Sequence, residues 1–142
     1  MEIEVVLGWY PNFSLSDLHR PDGGIPSLAE AIPLLLEQTE QAPSDPFMVL
    51  ARSGQYFMQC LSSHAGWLLE KREGDGDHHY RALEPMEQWK ASSMDPSLME
   101  RIFKKPHHRG WYLTRELVTE AMLAYATGRP EPDWLEWERV EV

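Results

Sequence analysis

Cysteine occurs once in the 142 residues, at position 60, so no disulfide can form within the chain. The fold must therefore rest on its apolar core. A chain of this length buries roughly two-thirds of its unfolded surface, which suffices without covalent staples. Long apolar runs are also missing, and none approaches the ~18 residues of a membrane-crossing helix. Bases are scarce: 13 Lys and Arg stand against 23 Asp and Glu, a formal charge of −10. That balance excludes nucleic acid as a natural partner, since phosphates are met by Lys and Arg. It disfavours an anionic membrane surface on the same ground. Catalytic signatures are lacking too. There is no Gly-x-Ser-x-Gly elbow, P-loop, dinucleotide fingerprint, Cys-x-x-Cys or His-Glu-x-x-His. The expectation is a protein that is not an enzyme and carries no cofactor. Met1-Glu2-Ile3-Glu4 places acids where a secretory signal carries bases, which points to the reducing cytoplasm.

What is abundant is tryptophan and proline, six and eleven residues respectively. The tryptophans, at 9, 67, 89, 111, 134 and 137, are spread along the chain and predict core positions for most of them. The prolines fall between apolar runs and act as punctuation. Residues 2–10 read as a first strand with Ile3, Val5 and Leu7 on one face. Ser27-Leu28-Ala29-Glu30 has the capping-box pattern and opens a helix to about Gln41, in which Pro33 predicts a lost hydrogen bond or a kink. Three strand-like runs follow at close spacing, Phe47–Ala51, Gln55–Leu61 and Gly66–Arg72, then a turn at 73–77 and a strand over His78–Leu83. Asp95-Pro96 predicts a further helix start that ends in the basic loop 104–110. Thr114 caps a helix through Thr127 that Gly128 terminates, and residues 134–142 read as a last strand. Sequential hairpins make a meander the default topology. The predicted architecture is one α+β domain over residues 1–142, an antiparallel meander sheet flanked by two or three helices.

Each candidate chemical feature has a plain structural alternative. The histidine pairs 78–79 and 107–108 offer at most one ligand each to a given metal site, because neighbours on a strand point to opposite faces. No metal is expected. The run Glu73 to Glu84 places acids at four loop positions that a calcium-binding loop uses, but His78 occupies the position that such a loop gives to glycine. A solvated hairpin tip and a protein-contact surface are the other readings. Cys60 lies in Tyr56-Phe57-Met58-Gln59-Cys60-Leu61, an apolar setting that predicts a buried, inert thiol. The segment from Glu131 holds five acids against Arg139 alone. Such charge guards an edge strand against aggregation, and equally forms an acidic face with Trp134 and Trp137 nearby for a basic protein.

The meander Gln55-Tyr56-Phe57-Met58-Gln59, Gly66-Trp67-Leu68-Leu69-Glu70-Lys71-Arg72-Glu73-Gly74 and His79-Tyr80-Arg81-Ala82 resembles the centre of bacterial immunity proteins. The ending is similar as well: Leu113-Thr114-Arg115-Glu116-Leu117-Val118 to Ala124-Tyr125, Gly128, then Leu135-Glu136-Trp137-Glu138. These are the immunity partners of polymorphic and contact-dependent toxin systems, in the group with a penultimate helix and a tryptophan-bearing last strand. The resemblance spans about residues 47–142. It implies an antiparallel sheet with flanking helices, no catalysis, and a cognate toxin, a nuclease or deaminase, whose active site the bound partner occludes. The residues expected to contact that basic protein are Glu70, Glu73, Asp75 and Asp77, with Glu136 and Glu138 as a second patch, pairing with Lys and Arg that otherwise hold phosphate. The alternative is a small-molecule-binding or regulatory module in which the tryptophan-rich sheet shapes a pocket.

Overall fold

The computed structural model describes residues 2–86 and 110–140. Six strands form one sheet: β1 (Glu4–Leu7), β2 (Phe47–Ser53), β3 (Tyr56–Ser63), β4 (Gly66–Glu73), β5 (His79–Ala82) and β6 (Trp137–Arg139). Their spatial order is their chain order, and every pairing is antiparallel. This is the predicted meander of an α+β fold. Among the described residues two α-helices accompany it, α1 (Leu28–Gln41) between β1 and β2, and α2 (Arg115–Thr127) before β6. The Asp95 helix start, the basic run 104–109, Trp89 and the pair His107–His108 lie outside the described residues.

Alternation along the strands decides which face is covered. Met48, Leu50, Met58, Cys60, Trp67, Leu69 and Ala82 point to one side and are all buried. Ile32, Leu35 and Leu36 of α1, with Val118, Ala121 and Met122 of α2, close over them. Both helices therefore serve the same face and also touch each other. Their caps match the sequence: the Ser27 hydroxyl accepts from the Glu30 amide, and that of Thr114 from the Leu117 amide. Gly128 ends α2 in the left-handed region, at φ 68°, where a side chain is strained. Pro33 leaves α1 unbroken. It sits on the exposed side of the helix, away from the packed face.

Three strands are shorter than the sequence predicts, β5 by one residue at each end. β1 stops at Leu7 because the chain turns back at once, with Leu7 and Tyr10 bridged. The turn needs glycine at position 8. A Cβ there would overlap the Phe47 ring and lie 2.5 Å from the Asp45 carbonyl oxygen. β6 is three residues long, because Leu135 donates back to the Pro132 carbonyl in a turn that delays pairing. The tryptophans also differ from expectation. Among those described, Trp67 alone is fully buried. Trp9, Trp134 and Trp137 pack at the core margin, and Trp111 is exposed. Margins suit them, since an indole N–H needs a polar partner. All five find one: Trp9 donates to Thr39 at 2.8 Å, Trp67 to Glu40 at 3.1 Å, Trp111 to Glu138 at 2.9 Å, Trp134 to Glu120 at 3.0 Å and Trp137 to Glu131 at 3.1 Å. Four of these acceptors are carboxylates, so part of the acidic excess is structural.

Gly8→Ala is expected to destabilise the fold by about 1–3 kcal/mol, the usual range for overpacking against atoms that cannot retreat. Chemical denaturation measures it, and a change below about 0.5 kcal/mol would contradict the packing described at this turn.

Candidate functional site: the β5–β6 edge of the sheet

The face turned away from the helices is divided by composition. Toward β1 it carries Val6, Val49, Leu61 and Leu68, half-buried or exposed. Toward β6 it is charged. The register aligns Gln59, Glu70, Arg81 and Glu138 as one row across β3, β4, β5 and β6. Glu70 is the centre of that row. Its Oε2 accepts from Arg81 Nε at 2.8 Å, and Arg81 Nη2 lies 2.7 Å from the same oxygen. Its Oε1 accepts from the Gln59 amide at 2.9 Å and faces His79 Nε2 at 3.4 Å. Burial alone would raise the Glu70 carboxyl. The Arg81 hydrogen bond, the Gln59 amide, the Arg81 charge and His79 outweigh it and hold the group below the usual glutamate range. Both oxygens are engaged within the sheet, so Glu70 holds Arg81 in place.

Arg81 in turn supports Trp111. The guanidinium lies 4.9 Å from the indole centroid, while the indole N–H reaches across to Glu138. Next to this cluster, the β4–β5 connection is a single 3-10 turn over Gly76–His78. Asp75 caps it, accepting from the Asp77 amide, and lies 2.8 Å from His78 Nδ1. These contacts hold the Asp75 carboxyl below the usual aspartate range, the His78 contact foremost. Asp77 extends toward Arg139 of β6, 3.7 Å away.

The six acids singled out in the sequence all lie on or beside β4, β5, β6 or the β4–β5 turn, but strand pairing spreads them over both faces and along the length of that edge. Glu70 and Glu138 flank Arg81 on the open face. Glu73 belongs to the opposite face, with Lys71 at 2.9 Å. Asp75 and Asp77 form the tip between them, and Glu136 stands at the head of β6, its carbonyl accepting from the Leu83 amide. Proximity on the chain separated what strand pairing brings together. Lys71 is the group that sequence reasoning passed over. It is buried on the helix-bearing face between Glu73 and Glu131, with its Nζ 4.5 Å from the Trp137 ring. Lys alternating with Trp67 and Leu69 on a strand was the signal, since a cation on a core face must be paired.

No protein-family model, curated protein or solved structure matches this chain.

Elsewhere, Cys60 is buried and its thiol donates weakly to the Met48 carbonyl at 3.8 Å. Burial pushes its pKa up to about 12, against a small opposing effect of that carbonyl. Among the described residues, no three His, Cys, Asp or Glu converge as metal ligands do. At the far end of the sheet a groove of about 900 Å³ runs past Glu40, Ser62, His64 and Arg115. Glu40 there accepts from both Trp67 and Arg115. The Ser62 hydroxyl is buried and makes no hydrogen bond among the described residues. No helix among the described residues is long and apolar enough to cross a membrane.

Three measurements follow from this geometry. Arg81→Ala leaves the Glu70 carboxylate short of its main partner and should destabilise by about 1–3 kcal/mol at neutral pH. A depressed carboxyl stabilises the fold above the ordinary glutamate value of about 4.3, and that contribution is lost as pH falls through the folded-state value. Glu70→Gln should therefore flatten the acid limb of the stability profile, and a mutant that keeps the wild-type acid slope would contradict the assignment. Cys60 should resist thiol reagents in the native state and react at the rate of unfolding. Rapid native labelling would show that the site opens.

Proposed function

We propose that this protein is an immunity-type inhibitor, a rigid acidic scaffold that binds a basic toxin protein and occludes its active site. The observation that carries the reading is the run of exposed carboxylates along the β5–β6 edge of the sheet: Asp75 and Asp77 at the β4–β5 tip, with Asp77 facing Arg139, and Glu138 farther along β6. Asp75 and Asp77 are exposed at a tip pinned by its own turn hydrogen bonds, so little side-chain and loop freedom is lost on binding. A chain at −10 accelerates encounter with a basic partner, and exposed carboxylates at one edge orient that encounter. A toxin that acts on nucleic acid presents the complementary surface, since its own Lys and Arg contact phosphate. The resemblance of residues 47–142 to immunity proteins points the same way. In this role Glu70 acts indirectly, by fixing Arg81.

The groove past Ser62 supports a second reading, a small-molecule-binding module, through the buried Ser62 hydroxyl that has no partner among the described residues. A ligand retained through purification, or one that raises the melting temperature and is lost with Ser62→Ala, would favour it.

The test of the first reading is co-expression with the product of the adjacent gene. Restored growth and a stable complex are expected. The combined variant E73Q/D75N/D77N/E138Q should associate about tenfold more slowly at low salt, with the difference vanishing at high salt. Failure to bind or to rescue growth would overturn the proposal.

A further inference from the structure

Trp111 stands apart from the other described tryptophans. It is 38% exposed and does not pack against the core. A singly exposed apolar ring is common on a protein surface, so what marks Trp111 is that its ring is immobilised there. Arg81 lies against it at 4.9 Å, and its N–H is committed to Glu138 at 2.9 Å. Arg81 is itself held by both of its contacts to Glu70. An exposed indole that is immobilised before binding loses little entropy on contact, which is the property of the aromatic anchors that dominate protein interfaces.

The surroundings specify what the ring would meet. Arg81 is neutralised by Glu70, so among the described residues the charge left at the indole is the negative one of Glu138. A negative charge at the ring edge and an electron-rich ring face together favour a cation lying over the indole, and discriminate against a carboxylate. We infer that Trp111 is a pre-organised anchor for an arginine or lysine side chain of the partner, with Glu138 orienting both the indole and the incoming cation. This deepens the toxin-binding proposal and rests on it for the identity of the partner, though not for the chemistry of the contact.

The experiment uses a hexa-arginine peptide as probe, titrated into ¹⁵N-labelled protein at low salt. Trp111→Phe identifies the indole N–H signal by its loss. The signal of Trp111 is expected to shift most among the indole resonances, and Trp111→Ala to weaken peptide binding about fivefold. Trp111→Phe keeps a ring and should bind within about threefold of wild type. Unchanged melting temperature and circular dichroism separate these effects from misfolding. Peptide binding without a Trp111 shift, equal affinity of the alanine variant, or no peptide binding at all would each overturn the inference. Where the peptide result holds and growth rescue fails, the anchor stands and the toxin-blocking reading falls.

Discussion

The molecule is governed by one-sided burial. Six strands joined mainly by short hairpins make a sheet with two faces, and α1 and α2 both lie on the same one. Ile32, Leu35 and Leu36 of α1 and Val118 and Met122 of α2 are almost wholly withdrawn from water against Met48, Leu50, Met58 and Leu69. Truncating any one of these large side chains to alanine typically removes about 2–5 kcal/mol, a large share of the stability of a domain this size. Everything else follows from satisfying that face. The other face is left to carry what a core cannot, including a row of alternating charge.

Charge here does two jobs that composition does not separate. Some carboxylates are structural. Glu40 ties the end of α1 to Trp67 and to Arg115 at the start of α2, and Glu131 receives both Trp137 and the buried Lys71. Arg52 does the converse, donating to the Tyr125 carbonyl near the C-terminus of α2 and stacking 4.3 Å from the Tyr125 ring. Other acids, Asp75 and Asp77 above all, have only exposed partners and contribute little to stability. It is this second group that is free to act outward, and it lies beside β6, which presents Glu138, the acceptor of the Trp111 indole N–H.

Much of this was legible in the chain. Hairpin turns, period-two alternation and the caps at Ser27, Thr114 and Gly128 are local signals, and they place the meander and both helices within a few residues. What local signals do not carry is register. Glu70 and Glu138 are far apart in sequence, and pairing of β4 with β5 and of β5 with β6 sets them on either side of Arg81. The same limit hid Trp111, since nothing in its neighbourhood marks it as exposed while Trp67 is buried. The early end of β1 came from a steric fact, the close approach of Gly8 to Asp45 and Phe47, which only the three-dimensional path reveals.

The central claim is that the β5–β6 end of the sheet is the surface that works. Amide hydrogen exchange, compared between the free protein and its complex with the basic toxin proposed as its partner, addresses that claim directly. New protection is expected over the turn at 75–78 and over residues 136–140, with α1 and α2 unchanged. Protection confined to the helices, or to the groove around Ser62–Gly66, would place the working surface elsewhere and contradict it.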